Sequence, residues 1–390
     1  MKSIFANRMR GLGTETAFEV LAKAKALEKQ GHEIIHLEIG EPDFDTPQNI
    51  RDAATQAINS GYTHYVPAAG IPELRETIAQ HISETRNIDV TPEEVVVTPG
   101  AKPIIFFSML ACVEVGDEVM YPNPGFPIYE SMVNFIGAEP VPMQLKEEND
   151  FALDSEDIVG KISDKTKMII LNFPENPTGG VLTKENLAAI ADRVKDRSDL
   201  IIISDEVYSR MIYEGEHRSI SSLPEMKEKT VIIDGFSKTY AMTGWRLGYG
   251  VMRKDLTEKI TKLMINSNSC TCAFSQMAAI EALRGPQDEP KRMVEEFRKR
   301  REVIVTGLNK IEGITCKKPK ATFYVFPNVK DLKISSEELP DFLLNNAGVA
   351  ALAGTAFGEY GKGYLRFSFA NSISNIEKAL TRTEEALQTL

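Results

Sequence analysis

Five short β-branched runs, separated by stretches of helical periodicity, constrain this 390-residue chain more than any other feature. They lie at 94–98, 118–121, 168–172, 200–204 and 230–234. Runs such as Met168-Ile169-Ile170-Leu171-Asn172 are nearly continuous in apolar residues rather than alternating. Strands of that kind are buried on both faces, as in a mostly parallel sheet covered by helices on each side. The intervening segments, for example 184–195 and the stretch after Gly100, read as the helices that parallel connections need. A sixth run, Leu247-Gly248-Tyr249-Gly250-Val251, is weaker because of its glycines. The fold class expected is α/β, built on a mostly parallel central sheet.

The two ends of the chain differ from its middle. Segments 14–31 and 289–310 have the pattern of long surface helices, and short strands follow at 321–326 and 364–369, with a terminal helix from about Ile373. These read as a smaller α+β domain formed by residues 1–44 and 286–390, joined to a large α/β domain at 45–285. No repeat or low-complexity tract interrupts them. The net charge of −11 argues against a nucleic-acid or anionic-membrane partner. The apolar runs are too short to span a bilayer, and the first ten residues lack the apolar stretch of a signal peptide. A cytoplasmic protein is expected. Its cysteines, Cys112, Cys270, Cys272 and Cys316, have neither the spacing nor the histidine partners of a metal site and read as free thiols.

Ligands of open α/β sheets bind just past the carboxyl ends of strands. Four polar motifs occupy such positions: Gly100-Ala101-Lys102, Asn176-Pro177-Thr178-Gly179, Asp205-Glu206-Val207-Tyr208 and Ser237-Lys238. A lysine at the end of a buried strand is costly unless it is paired or chemically used, and imine formation with an aldehyde is one such use. Ser237 and Arg246 could then hold a phosphate, assisted by the backbone of 100–102 at the start of a helix. Singly, each motif has a plain alternative: a partly exposed lysine, a turn, or an aspartate capping a helix. Their convergence on one mouth makes a site.

Together with Gly40-Glu41-Pro42-Asp43-Phe44 and Tyr364-Leu365-Arg366-Phe367-Ser368-Phe369-Ala370, the order and spacing of these motifs resemble the class I/II aminotransferases, fold type I enzymes dependent on pyridoxal 5′-phosphate. The family includes aspartate aminotransferases, and the resemblance covers nearly the whole chain. It implies ping-pong transfer of an amino group from an L-amino acid to a 2-oxo acid, with aspartate or a related donor. Lys238 matches the imine-forming lysine, whose freed amine carries a proton. Asp205 matches the aspartate beneath the pyridine nitrogen. Tyr208 and Asn176 match partners of the phenolic oxygen, and Phe126 an aromatic ring stacked on the pyridine. Gly100, Ala101, Lys102, Ser237 and Arg246 correspond to the phosphate site. Tyr65 matches a tyrosine that reaches the phosphate from a neighbouring subunit, which implies a homodimer with shared active sites. Arg366 matches the residue that pairs with the substrate α-carboxylate. Gly40 and Asn176 border the same group, and Lys102 can meet a distal carboxylate. No metal is implied.

Departures from the family pattern leave the side-chain pocket open. Ala353-Gly354 replaces a Pro-Gly, Ala321-Thr322-Phe323-Tyr324 replaces Gly-Ala-Phe-Tyr, and Glu175 precedes Asn176 where neutral residues are frequent. The 266–273 loop, with Ser267-Asn268-Ser269-Cys270-Thr271-Cys272, is unusual as well. Two competing readings share the scaffold: a lyase performing β-elimination, and a non-catalytic regulator that binds the cofactor. The presence of Lys238 and the lack of a basic DNA-binding segment count against the second. No phosphate-loop motif supports a nucleotide-binding protein.

Overall fold

The computed structural model of the chain describes residues 4–390. Seven strands form the central sheet: β1 (Val95–Thr98), β2 (Glu118–Asn123), β3 (Glu139–Gln144), β4 (Thr166–Asn172), β5 (Ile201–Asp205), β6 (Thr230–Gly235) and β7 (Gly248–Val251). Their order is β1-β7-β6-β5-β4-β2-β3. Neighbours from β6 through to β3 run parallel, and β7 is antiparallel to both β1 and β6.

The near-continuous apolar runs are explained by what covers them. Val96, Val119, Ile170, Ile203 and Ile233 point to one face, where helices Lys102–Cys112, Ile128–Ile136 and Lys254–Ser267 supply Ile104, Tyr129 and Ile260. Their sequence neighbours point to the opposite face. There Val95, Val97 and Ile232 meet Leu74, Ile78 and Ala278 of helices Pro72–Arg86 and Ala273–Arg284. Ile169, Leu171 and Ile202 meet Leu187 and Ile190 of helix Lys184–Val194. The glycines of β7 mark a close approach. A Cβ at Gly248 would stand 2.5 Å from the Ala101 nitrogen, so only glycine lets the turn that opens Lys102–Cys112 lie against the strand.

All six runs expected as strands are present, and β3 is additional. Its sequence, Glu139-Pro140-Val141-Pro142-Met143-Gln144, hides it, because proline cannot donate to a ladder. It is tolerated because β3 is the edge strand, paired on one side only.

Segments from both chain ends pack against one another. Helices Thr16–Glu28, Asp288–Leu308, Leu339–Asn346 and Ile373–Leu387 surround a three-stranded antiparallel sheet of Tyr324–Val325, Leu352–Ala353 and Leu365–Ser368. Ile35–His36 pairs in parallel with Val349–Ala350, a two-residue ladder too short to leave a sequence period. Leu37, Phe297, Ile304, Phe367, Phe369 and Ile376 form the core here. The amide of Ser368 donates to the Leu37 carbonyl at 2.7 Å, which sets strand Leu365–Ser368 beside segment 37–40.

The carboxyl ends of β5 and β6 are tied together by a buried ionic cluster. Arg86 donates from Nε to Glu206 at 2.6 Å and from Nη2 to Asp234 at 3.0 Å. His217 and the hydroxyls of Ser204 and Ser219 complete the bonds to Glu206 at 2.9, 2.7 and 2.5 Å. Burial alone would raise the Glu206 carboxyl, but Arg86 and His217 outweigh it and hold the group well below the usual range. Burial wins at Asp234, whose carboxyl is raised despite Arg86. Arg86→Met would leave two buried carboxylates without their shared cation, a loss of about 3–5 kcal/mol. Urea denaturation of the variant should show that loss at neutral pH; a change below about 1 kcal/mol would mean the cluster is not coupled to folding. Because the folded Glu206 value is depressed, its part of the stabilisation is present above pH 4.5 and disappears as the pH falls below it.

Candidate active site

The carboxyl ends of β4, β5 and β6 and the 99–101 turn open onto a cavity of about 590 Å³. Segment 39–41, strand Leu365–Ser368 and residues 15–18 close its other side. Eleven of the candidate residues line it: Gly40, Ala101, Lys102, Phe126, Asn176, Asp205, Tyr208, Ser237, Lys238, Arg246 and Arg366. Gly100 lies directly behind Arg246. Tyr65 is not among the lining residues; it is 89% exposed on the surface of this chain.

Asp205 ends β5 and is only 4% exposed. Its Oδ2 accepts the Tyr129 hydroxyl at 2.7 Å, and its Oδ1 the Val207 amide at 3.4 Å. Burial pushes the carboxyl up to about 6, and the Tyr129 bond offsets only part of the rise. Lys238 sits just after β6, in a turn closed by the Met242 amide on the Ser237 carbonyl at 3.2 Å. Its Nζ donates to the Gly40 carbonyl and lies 5.7 and 5.6 Å from the ring centres of Tyr208 and Phe323. Burial, reinforced by the charge of Arg366, lowers this amine to about 8.

Arg366 occupies strand Leu365–Ser368 and is 4% exposed. Its Nη1 donates to the Asn176 side-chain oxygen at 3.4 Å and its Nη2 to the Glu38 carbonyl. The guanidinium lies 4.5 Å from the Tyr324 ring centre and 4.8 Å from that of Phe357. Nε is buried without a partner, and among the described residues no carboxylate forms an ion pair with this side chain. Burial accordingly depresses its pKa. A buried cation held only by neutral oxygens and ring faces is ready for an anion from outside the chain.

Gly100 has φ +85°, and a Cβ there would fall 2.3 Å from the Arg246 guanidinium, so the turn and the arginine fit one another only with glycine. Arg246 is itself in the left-handed region at φ 51°, its Nη1 donating to the Thr243 carbonyl at 2.8 Å. Helix Lys102–Cys112 begins at this point, with unpaired amides that favour anions.

Several residues at the site were not evident from the sequence. Tyr129 lies in the apolar helix Ile128–Ile136, where an aromatic reads as core. The Tyr324 hydroxyl meets that of Tyr208 at 2.7 Å, and Asn172, the last residue of β4, accepts the Asn176 amide at 3.3 Å. Lys102 is turned toward Glu15, with which it forms an ion pair. Glu175, visible beforehand as a departure, is fully buried and accepts the amide and hydroxyl of Thr178 at 2.7 and 2.5 Å. It braces the turn that carries Asn176, and burial pushes its carboxyl up to about 8. The 266–273 segment is shorter as a loop than expected, since helix Lys254–Ser267 claims its start and helix Ala273–Arg284 its end.

These donors suit a flat, phosphate-bearing pyridine aldehyde. A buried carboxyl faces the cavity with a single short bond, an amine is lowered to about 8, and a glycine turn, a helix start and an arginine are grouped for an anion.

Residues 32–382 match the family described as aminotransferase class I and II. The chain is 40% identical to the aspartate aminotransferase of Pyrococcus horikoshii, over 99% of this chain and 98% of that one. It is likewise 40% identical to aromatic-amino-acid aminotransferase 2 of Thermococcus litoralis, covering 91% and 92%. Among solved structures, the Thermus thermophilus aspartate aminotransferase with maleate superposes with a TM-score of 0.93 at 35% identity, covering 99% of this chain and all of that one. The chain therefore belongs to the class I and II aminotransferases and is a pyridoxal-phosphate-dependent transaminase acting on amino acids and 2-oxo acids.

Proposed function

We propose that this cavity holds the cofactor and the amino-acid substrate together, with Lys238, Asp205 and Arg366 as its working residues. The observation that carries the reading is Arg366: a buried guanidinium without a counter-ion, in the same cavity as an amine lowered to about 8. Bound pyridoxal phosphate supplies an aldehyde that takes up amines and a ring that accepts the electron pair left at Cα. Arg366 grips the α-carboxylate and fixes which Cα bond faces Lys238. Lys238, its amine lowered to about 8, is placed to take the Cα proton and would deliver it to the cofactor's former aldehyde carbon, across the intervening nitrogen. Asp205, as a carboxylate, holds a proton on the ring nitrogen, and Tyr129 keeps it oriented. Tyr208 and Asn176 border the ring's oxygen side, Phe126 covers its face, and Gly100, Ala101, Ser237 and Arg246 take the phosphate.

Aspartate, or a donor of similar size, is the amino donor we favour, on the strength of Lys102 in the cavity wall and of relatives named aspartate aminotransferase. We further propose a cytoplasmic homodimer in which the exposed Tyr65 enters the partner's site, and a division into domains at 45–285 and at 1–44 with 286–390.

Two measurements address the roles. In apoprotein, acylation of Lys238 followed by peptide mass spectrometry should show a midpoint near pH 8. Arg366→Met removes a like charge and should shift that midpoint upward; a midpoint at the ordinary lysine value of 10.5 in both proteins would contradict the assignment. Arg366→Lys loses the two-pronged grip on the carboxylate and should lower kcat/KM for amino donors by about 30-fold or more. Cofactor affinity should change by less than about threefold, because no phosphate contact is assigned to this residue. Equal losses in donor and cofactor affinity would remove Arg366 from the substrate site.

A further inference from the structure

Four cationic side chains line the cavity, and one of them is paired within it. Arg366 rests on neutral oxygens, Lys238 on the Gly40 carbonyl and Arg246 on the Thr243 carbonyl. Among the described residues, Lys102 alone of the four forms an ion pair, and its partner Glu15 lines the same cavity. The Lys102 ammonium also lies 5.2 Å from the centre of the Phe126 ring. Glu15 stands immediately before helix Thr16–Glu28, and Thr16, Ala17 and Phe18 of its first turn line the wall beside it. The two side chains are 42% and 25% exposed, so water screens their attraction and Glu15 can turn outward without being stranded in a dry interior.

We propose that Glu15 is a specificity-determining residue: its pairing with Lys102 leaves the wall neutral for donors with uncharged side chains, and a donor ending in a carboxylate must displace it. The inference rests on the reading of the cavity as an amino-acid site. Beside an intact pair, a second carboxylate is repelled by Glu15 about as strongly as it is drawn to Lys102. An acidic donor gains the lysine only by turning Glu15 out, and so loses part of the affinity a free lysine would give. An aromatic or aliphatic donor leaves the pair closed and packs on Phe126 and Phe18. Specificity is a difference between affinities, and this arrangement narrows it, so that one site serves acidic and uncharged donors alike.

The test uses the holoenzyme with aspartate and phenylalanine as donors, and maleate binding by calorimetry as a readout independent of turnover. E15Q should raise the aspartate-to-phenylalanine ratio of kcat/KM about fivefold and tighten maleate by about the same factor. In a K102Q background the lysine no longer holds Glu15 in the wall, so Glu15 turns out to water and E15Q should move either quantity by less than about twofold. An active wild-type enzyme whose ratio and maleate affinity are unmoved by E15Q would overturn the proposal. So would an equal rise in the K102Q background, which would reduce Glu15 to a general field effect. A wild-type enzyme that transferred amino groups from neither donor would overturn the underlying reading of the cavity instead, and this proposal with it.

Discussion

Arg86, shared between Glu206 and Asp234, is the interaction on which the geometry of the site depends. Glu206 directly follows Asp205, and Asp234 lies three residues before Ser237, so one buried guanidinium ties the ends of β5 and β6 just below the residues assigned to the cofactor. The Glu206 amide bonds to the Ile233 carbonyl at 2.8 Å and locks the same register through the backbone. A buried ion cluster adds little net stability compared with apolar packing. The roles proposed for Asp205 and Lys238 need a fixed separation and angle, and the cluster's tie between β5 and β6 supports that.

Above that cluster, burial does the chemical tuning. It lowers the Lys238 amine, raises the Asp205 carboxyl and depresses the Arg366 guanidinium, and none of the three neutralises another. A site with an unpaired guanidinium, a lowered amine and a raised carboxyl is short of the charges that an amino acid and a phosphorylated pyridine bring. The protein bears the desolvation cost in the folded state, so that ligand binding relieves it. The partly exposed Lys102–Glu15 pair is the contrasting case: already neutral, weakly held and open to exchange.

Much of this was legible in the sequence, for physical reasons. Burial on both faces wrote the parallel strands as unbroken apolar runs, and the strand-end rule then gave Asp205, Asn176 and Lys238 positions near one another. The edge strand β3 was hidden by Pro140 and Pro142, which only an edge tolerates. Tyr129 was hidden because an aromatic residue in an apolar helix has no feature separating a hydrogen-bonding role from packing. Glu15 was hidden by distance, since it lies 87 residues from Lys102 and no local pattern links them. Glu175 was visible as an anomaly, but its bracing of the 176–179 turn depends on a buried geometry that spacing does not carry.

The most direct measurement of the central claim is a half-reaction. Holoenzyme mixed with an excess of amino donor and no acceptor should release one 2-oxo acid per subunit, lose the absorbance of the aldehyde form of the cofactor, and then stop. Adding a 2-oxo acid should restore that absorbance and return one amino acid per subunit. Continuous turnover of the donor alone, with ammonia accumulating, would contradict transamination at this site.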